Sequence, residues 1–278
     1  MKNFEFKNNN IYIYGLPDFD LPHTLDCGQA FRWSCNDKNV WSGVAYGKYL
    51  ELEKLDDGSI VLYNTTKQDF YDIWFTYFDL ERDYESIIVK LSENEILKKA
   101  CEYSHGIRIL NQEPFETLCS FIISQNNNIK RIKGIIERLC ENFGEYKNGY
   151  YTFPTAEKLA SLTIDDLAVL RAGFRAKYLL DAAKKVVSGE VDLNNLKNLP
   201  LDDARTELMK IVGVGPKVAD CCLLFSHHHT TAFPKDVWIK RAMSVLFGDE
   251  LPENAQEYAG IAQQYIFFYA RDTKLLED

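Results

Sequence analysis

Apolar and polar positions along the chain fall into two regimes. Up to about residue 64, apolar residues come in short β-branched and aromatic runs: Ile11-Tyr12-Ile13-Tyr14, Gln29–Trp33, Val40–Tyr46, Tyr49–Lys54 and Ser59–Tyr63. Such runs predict strands, and Asp56-Asp57-Gly58 supplies a hairpin turn between the last two. Short strands joined by tight turns predict an antiparallel sheet. From Thr66 the period becomes helical. Phe70, Ile73, Trp74 and Tyr77 stand at i, i+3, i+4 and i+7, and Ile87, Ile88 and Leu91 continue a second stripe.

Further helices follow from the same periodicity. Phe115–Ser124 reads as a buried helix ending in the polar run Gln125-Asn126-Asn127-Asn128, and Ile129–Phe143 is amphipathic with Gly144 as its cap. Thr155–Leu162 and Thr163–Ala172 each open on a threonine followed closely by an acid. Asp202–Ile211, Pro216–Phe225, Val237–Phe247 and Pro252–Ala270 complete the set. The predicted fold class is α+β. An N-terminal antiparallel-sheet domain with trailing helices covers residues 1–112, and a mainly helical domain covers 113–278, with no solenoid repeat or low-complexity linker.

Composition narrows the function classes. With 278 residues, 46% hydrophobic and 26% charged, the chain reads as a soluble globular protein of one or two domains. No apolar run approaches the roughly 20 residues that span a bilayer, so no membrane partner is expected. Met1-Lys2-Asn3-Phe4-Glu5-Phe6-Lys7 lacks the apolar stretch of a secretion signal. The seven cysteines are odd in number and form no CxxC pair, which argues for a reducing, intracellular compartment and against a disulfide framework or a zinc finger. His227-His228-His229 has no nearby cysteine or spaced carboxylate, so a polar loop is expected there and not a metal site. A net charge of −9 argues against nonspecific coating of nucleic acid. Local phosphate contacts decide affinity, however, and over residues 126–138 Lys130, Arg131, Lys133 and Arg138 face Glu137 alone.

The stretch IVGVGPKVAD, residues 211–220, lies between two predicted helices. Helix, Val212-Gly213-Val214-Gly215 turn, helix is a helix-hairpin-helix pattern over about residues 202–225. Two glycines so placed let the backbone take positive φ and admit another backbone closely. Pro216 suits the first helical position, where its missing N–H leaves nothing unpaired. Free N–H groups beside a helix N-terminus make a phosphate site. A nucleotide P-loop competes with this reading, but Gly215 is followed by Pro-Lys-Val and the required Gly-Lys-Ser/Thr ending is absent. A plain helical corner remains open. Lys217 faces the positive end of a helix dipole, which disfavours its charged form. Phe233-Pro234-Lys235-Asp236-Val237 then puts a carboxylate where the next helix begins. A cap is its plain role. Paired with a helix-start lysine it also suits nucleophilic chemistry, the amine attacking while the carboxylate takes its proton or stabilises a nearby cation.

Gly-Val-Gly-Pro-Lys217 followed by Pro234-Lys235-Asp236 resembles the helix-hairpin-helix, Gly-Pro/Asp (HhH-GPD) superfamily of DNA glycosylases. Cys27-Gly28-Gln29-Ala30-Phe31-Arg32-Trp33, Trp41-Ser42-Gly43, Ser124-Gln125-Asn126-Asn127-Asn128, Gly173-Phe174-Arg175-Ala176-Lys177-Tyr178 and Tyr258-Ala259-Gly260-Ile261-Ala262-Gln263 resemble, in order, its 8-oxoguanine DNA glycosylase/AP lyase branch. The resemblance spans about residues 10–270. It implies base excision repair of double-stranded DNA containing 8-oxoguanine by a monomer. Lys217 would attack C1′ and Asp236 would support the oxocarbenium-like transition state and activate the lysine. Gly28, Cys221, Gln263 and Phe267 would read the flipped base. Asn126, Arg131 and Arg175 would hold the estranged cytosine beside the wedge Phe174. Gly213, Gly215, Val218 and Trp238 would meet DNA phosphates. Relatives often carry histidine where this chain has Trp238, and an indole N–H donates but cannot titrate. The resemblance implies no cofactor for catalysis, with the hairpin a candidate site for a monovalent cation. No Cys-x6-Cys-x2-Cys-x5-Cys follows Asp236, which excludes the iron–sulfur cluster of related branches.

Read without the resemblance, Phe267 could be plain core, Cys221 a small buried hydrophobe, Gln263 beside Gln264 a solvated pair, Gly28 a bulge and Arg131 a solvated helix face. Two other functions remain: an alkylated-purine glycosylase that leaves the strand uncut, and a non-enzymatic module that clamps DNA with its hairpin.

Overall fold

The computed structural model describes residues 3–248 and 250–273; residues 1, 2, 249 and 274–278, which the two expected domains also take in, lie outside the described residues. Strands β1 (Asn3–Lys7), β2 (Asn10–Tyr14), β3 (Trp33–Cys35), β4 (Trp41–Ala45), β5 (Lys48–Lys54) and β6 (Ile60–Tyr63) form one antiparallel sheet in the order β1-β2-β6-β5-β4-β3. Alternation sets the register: Ile11 faces Leu62 and Ile13 faces Ile60, all buried. The Asp56-Asp57-Gly58 turn closes β5 onto β6, with Gly58 at φ +82° and its N–H donating to the Leu55 carbonyl at 2.9 Å.

The expected strand over Gln29–Trp33 does not form; β3 begins only at Trp33. Gln29 supplies the reason. Its side-chain amide donates to the Thr24 and Arg108 carbonyls, both at 2.8 Å, and accepts the Leu110 N–H at 2.9 Å. A side chain thus takes the place of a ladder, and residues 27–32 stay irregular. The Phe70–Tyr77 stripe is helical as predicted and packs in the cluster of the sheet, but Phe70–Trp74 is a widened π turn inside the helical run.

The helical body comprises, among others, helices Tyr84–Leu91, Glu95–Tyr103, Pro114–Ser124, Ile129–Phe143, Arg175–Ser188, Leu201–Met209, Pro216–His227, Val237–Phe247 and Ala259–Asp272. Pro114–Ser124 and Pro216–His227 run through its centre, with Ile122, Ile123, Cys222 and Leu223 fully buried. Apolar side chains from Tyr84–Leu91 and Glu95–Tyr103 join this core and not the one beneath the sheet.

Gly144 caps Ile129–Phe143 as expected, in an extended conformation with φ −79°. Glycine is needed there because a Cβ would lie 2.0 Å from the Thr152 carbonyl oxygen. Two other helix expectations need correction. Thr163–Ala172 forms only a 3-10 helix over Asp166–Leu170. Pro252–Ala270 divides into a 3-10 turn, Glu253–Tyr258, and the helix Ala259–Asp272, where a Cβ on Gly260 would meet Leu224 and the Ala232 carbonyl. All seven cysteines are free, and no helix among the described residues is long and apolar enough to cross a membrane.

Candidate functional site

Two helix N-termini converge on one cleft. Lys210–Gly215 joins helices Leu201–Met209 and Pro216–His227, as the hairpin pattern requires. Gly213 sits at φ +83°, and a Cβ there would fall 2.4 Å from the Tyr178 ring. The Val212 N–H donates to Asp181 at 2.7 Å and pins the loop to the Arg175–Ser188 helix. Gly215 departs from expectation: it is extended, φ −105°, with nothing within 4 Å of its Cβ position. The protein's own packing therefore does not demand glycine there. Ala219 N–H, donating to the Gly215 carbonyl at 3.0 Å, opens the helical ladder. The Lys217 and Val218 N–H groups thus belong to the first turn, where a helix has no internal acceptors.

Asp236 is the N-cap of Val237–Phe247 and accepts the Ile239 N–H at 2.7 Å. It lines the same cleft, of about 240 Å³, as Gly28, Lys217, Cys221, Trp238, Gln263 and Phe267. Residues from four separate stretches of sequence are thereby gathered, and all four expected base-contacting positions are among them. Trp238, 40% exposed, stands at the rim.

The lysine has partners the sequence did not reveal. Lys217 Nζ donates to Ser124 Oγ at 3.5 Å and lies 5.3 Å from the centre of the Phe121 ring. Ser124 donates its own hydroxyl to the Phe121 carbonyl at 2.8 Å, so it faces the lysine as an acceptor. Burial pushes the Cys221 thiol up to about 11, while the nearby Lys217 ammonium pulls it down. Cys221 is therefore an uncharged surface against which a ring can lie. Phe121 and Ser124 stand at i and i+3 on the last turn of the Pro114–Ser124 helix, a spacing visible in the sequence.

The Gly28 loop is held from behind by Gln29. Gly28 takes φ +88° in an irregular segment and is not a strand bulge. Opposite it, Gln263 and Gln264 are each 5% exposed, which rules out the solvated surface pair. Gln264 Nε2 donates to Gln263 Oε1 at 2.6 Å, and Gln263 Nε2 donates to the Pro234 carbonyl at 3.4 Å.

The remaining expected residues form a second group outside the cleft lining. Asn126 adopts φ +47° in the polar turn. Arg175 is buried, donating to the carbonyls of Gln125, Asn126 (2.9 Å) and Ala172 (3.1 Å), with its guanidinium 4.4 Å from the Phe174 ring centre. It braces the turn in this state and does not stand free. Phe174 is 48% exposed. Arg131 is exposed and donates to Asn127 Oδ1 at 3.4 Å and the Arg171 carbonyl at 3.3 Å. Of the basic run, Lys133 bonds Asp26 and the Trp33 carbonyl, and Arg138 bonds the Leu170 carbonyl. That leaves Lys130 and Arg131 as its exposed members.

Of the histidine triplet, His227 ends its helix and His228 and His229 follow in the expected loop; His227 Nε2 meets the Leu193 carbonyl at 2.8 Å and His229 Nε2 the Leu196 carbonyl at 3.0 Å. Among the described residues no group of three or more His, Cys, Asp or Glu side chains is placed to hold a metal ion.

Comparison with known proteins agrees with this geometry. Residues 12–118 match the 8-oxoguanine DNA glycosylase N-terminal domain, and residues 119–263 match the HhH-GPD superfamily base excision DNA repair protein. The N-glycosylase/DNA lyase of Saccharomyces cerevisiae is 32% identical over 255 residues, covering 80% of this chain but only 66% of the yeast protein. The Clostridium acetobutylicum 8-oxoguanine glycosylase/lyase, solved with double-stranded DNA carrying cytosine opposite 8-oxoguanine, superposes with a TM-score of 0.90 at 39% identity over 99% of this chain and 98% of that one. Its apo form gives 0.89 at 41% identity over 96% and 98%. The hairpin with its lysine, the capping aspartate and the two matched domains converge on one conclusion: the chain belongs to the 8-oxoguanine glycosylase/lyase family of HhH-GPD base excision DNA repair proteins.

Proposed function

We propose that the protein flips 8-oxoguanine out of duplex DNA, excises it and cuts the strand through a Schiff base on Lys217. The observation that carries the reading is the placement of Lys217 and Asp236, at two helix N-termini, in the wall of one cleft. Duplex chemistry on a base requires its extrusion into such a pocket. The neutral Lys217 amine adds to C1′ as the C1′–N9 bond breaks, and the base leaves with the bond's electrons and takes a proton. Asp236, beside the developing positive charge, stabilises it and receives the lysine's proton. The sugar ring opens to an iminium. Loss of a C2′ proton then expels the 3′ phosphate, and hydrolysis of the iminium returns the lysine.

The Gly28 carbonyl accepts the N7–H that distinguishes 8-oxoguanine from guanine. Gln263 bonds the Watson–Crick edge, while Phe267 and Cys221 enclose the ring. Outside the cleft, Phe174 fills the vacated stack and Asn126, Arg131 and Arg175 meet the cytosine left behind. Arg175 must release at least one of its carbonyls to do so. Backbone N–H groups around Gly213, Gly215 and Val218, with the Trp238 indole N–H, take the phosphates. The chemistry needs no metal or organic cofactor.

Cleavage of duplexes carrying 8-oxoguanine opposite each of the four bases tests the reading. It predicts base release with a 3′ nick, fastest opposite cytosine. Release without a nick would leave a glycosylase lacking the lyase step, and equal rates opposite all four bases would remove the cytosine assignment.

A further inference from the structure

We propose that Gln264 is a specificity-determining residue: its amide holds Gln263 in one orientation and receives the exocyclic 2-amino group of the flipped base. The inference rests on the function proposed above and adds a recognition element to it. Gln264 Oε1 is a buried oxygen without a hydrogen-bond partner, on a side chain that lines the cleft. Buried polar atoms are rarely left unpaired, and one at a ligand site marks a place for a ligand group.

The donors and acceptors account for the match. Gln263 Oε1 already accepts from Gln264, and Gln263 Nε2 already donates to the Pro234 carbonyl. An amide has two lone pairs and two N–H groups, so Gln263 keeps one acceptor and one donor for the base. A guanine-type edge presents the O6 acceptor, the N1–H donor and the 2-amino donor. Gln263 satisfies O6 and N1–H, and the amine is left over. The adjacent unpaired acceptor is Gln264 Oε1. The Gln264 N–H also prevents the Gln263 amide from turning over, which would set donor against donor at N1–H. A purine without the 2-amino group leaves the Gln264 oxygen buried and unpaired, the arrangement that sites reject most strongly.

The test is single-turnover base release from duplexes carrying 8-oxoguanine or 8-oxohypoxanthine, which differ by that amine, opposite cytosine. Wild type is expected to release 8-oxohypoxanthine about tenfold more slowly, the effect of one hydrogen bond in a dry site. Gln264→Met preserves length without the amide. It is expected to slow on 8-oxoguanine by about tenfold or more and to treat the two bases alike. A merely structural glutamine would slow both substrates by one factor and keep the discrimination, which would overturn the proposal. Wild type indifferent to the amine would do the same, and that arm needs no variant to fold. Borohydride trapping of wild type on abasic DNA, which has no base to read, separates the two proposals. Absence of trapping is a failure of the lysine chemistry, whereas trapping with discrimination unchanged in Gln264→Met is a failure of this inference alone.

Discussion

Gly213 and Gly215, two residues apart, sit in different surroundings. At Gly213 the protein itself requires glycine, through φ +83° and the Tyr178 ring 2.4 Å from any Cβ. Gly213→Ala is expected to destabilise the fold by about 2 kcal/mol or more, read from urea unfolding. At Gly215 the backbone is extended and the Cβ position is open. Gly215→Ala is expected to cost less than about 1 kcal/mol of stability yet, on the proposed phosphate contact, to weaken duplex binding. Equal destabilisation by the two variants, or unaltered DNA affinity in Gly215→Ala, would contradict this division. Sequence could place both glycines in a turn but could not separate them, since the discriminating contact comes from Tyr178 on another helix.

At the scale of elements, the joints between segments depend on side chains that bond backbone, and these were the least legible. Gln29 replaces a strand with a bonded loop and thereby aims Gly28 into the cleft. Arg175 ties the start of one helix to the Asn126 turn at the end of another. Each also bonds a carbonyl close by in sequence, but the partner that makes the joint lies about eighty residues away for Gln29 and about fifty for Arg175, where no local pattern reaches. Helices with strong periodicity, and the Asp236 cap, were legible because their signal is local. Arg32 and Glu116 form another such joint, 3.4 Å apart between the Gly28 loop and the Pro114–Ser124 helix. Burial pushes the Glu116 carboxyl up to about 7, with Arg32 pulling it down. A carboxyl that holds its proton more tightly folded than unfolded adds stability at low pH and loses that contribution as pH rises through about 7. Wild type is therefore expected to lose stability between pH 5 and 8 relative to Glu116→Gln, by about 1–3 kcal/mol in urea unfolding. A gap that is the same at both pH values would contradict it.

The whole molecule brings five stretches, near Gly28, Ser124, Lys217, Asp236 and Gln263, to one cleft of about 240 Å³. The segment beside it is shared between the two core clusters: Cys27 and Phe31 pack with the helical body, while Ala30 and Trp33 belong to the cluster of the sheet. The segment that carries Gly28 is therefore clamped by both. The motifs pointed to these residues singly, and the fold shows which of them share a wall. It also adds Ser124, Phe121 and Gln264, whose importance comes from neighbours and not from spacing. On the proposed phosphate contacts, overall acidity is no obstacle to holding DNA, because a helix start offers backbone N–H groups in place of a basic patch.

The central claim is that Lys217 forms a covalent bond with the sugar. Borohydride reduction of wild type mixed with 8-oxoguanine duplex should trap a protein–DNA adduct, with no adduct on undamaged duplex. Lys217→Gln should give none on either, while still binding the damaged duplex. An adduct that persists in Lys217→Gln, or none in wild type despite base release, would contradict the account.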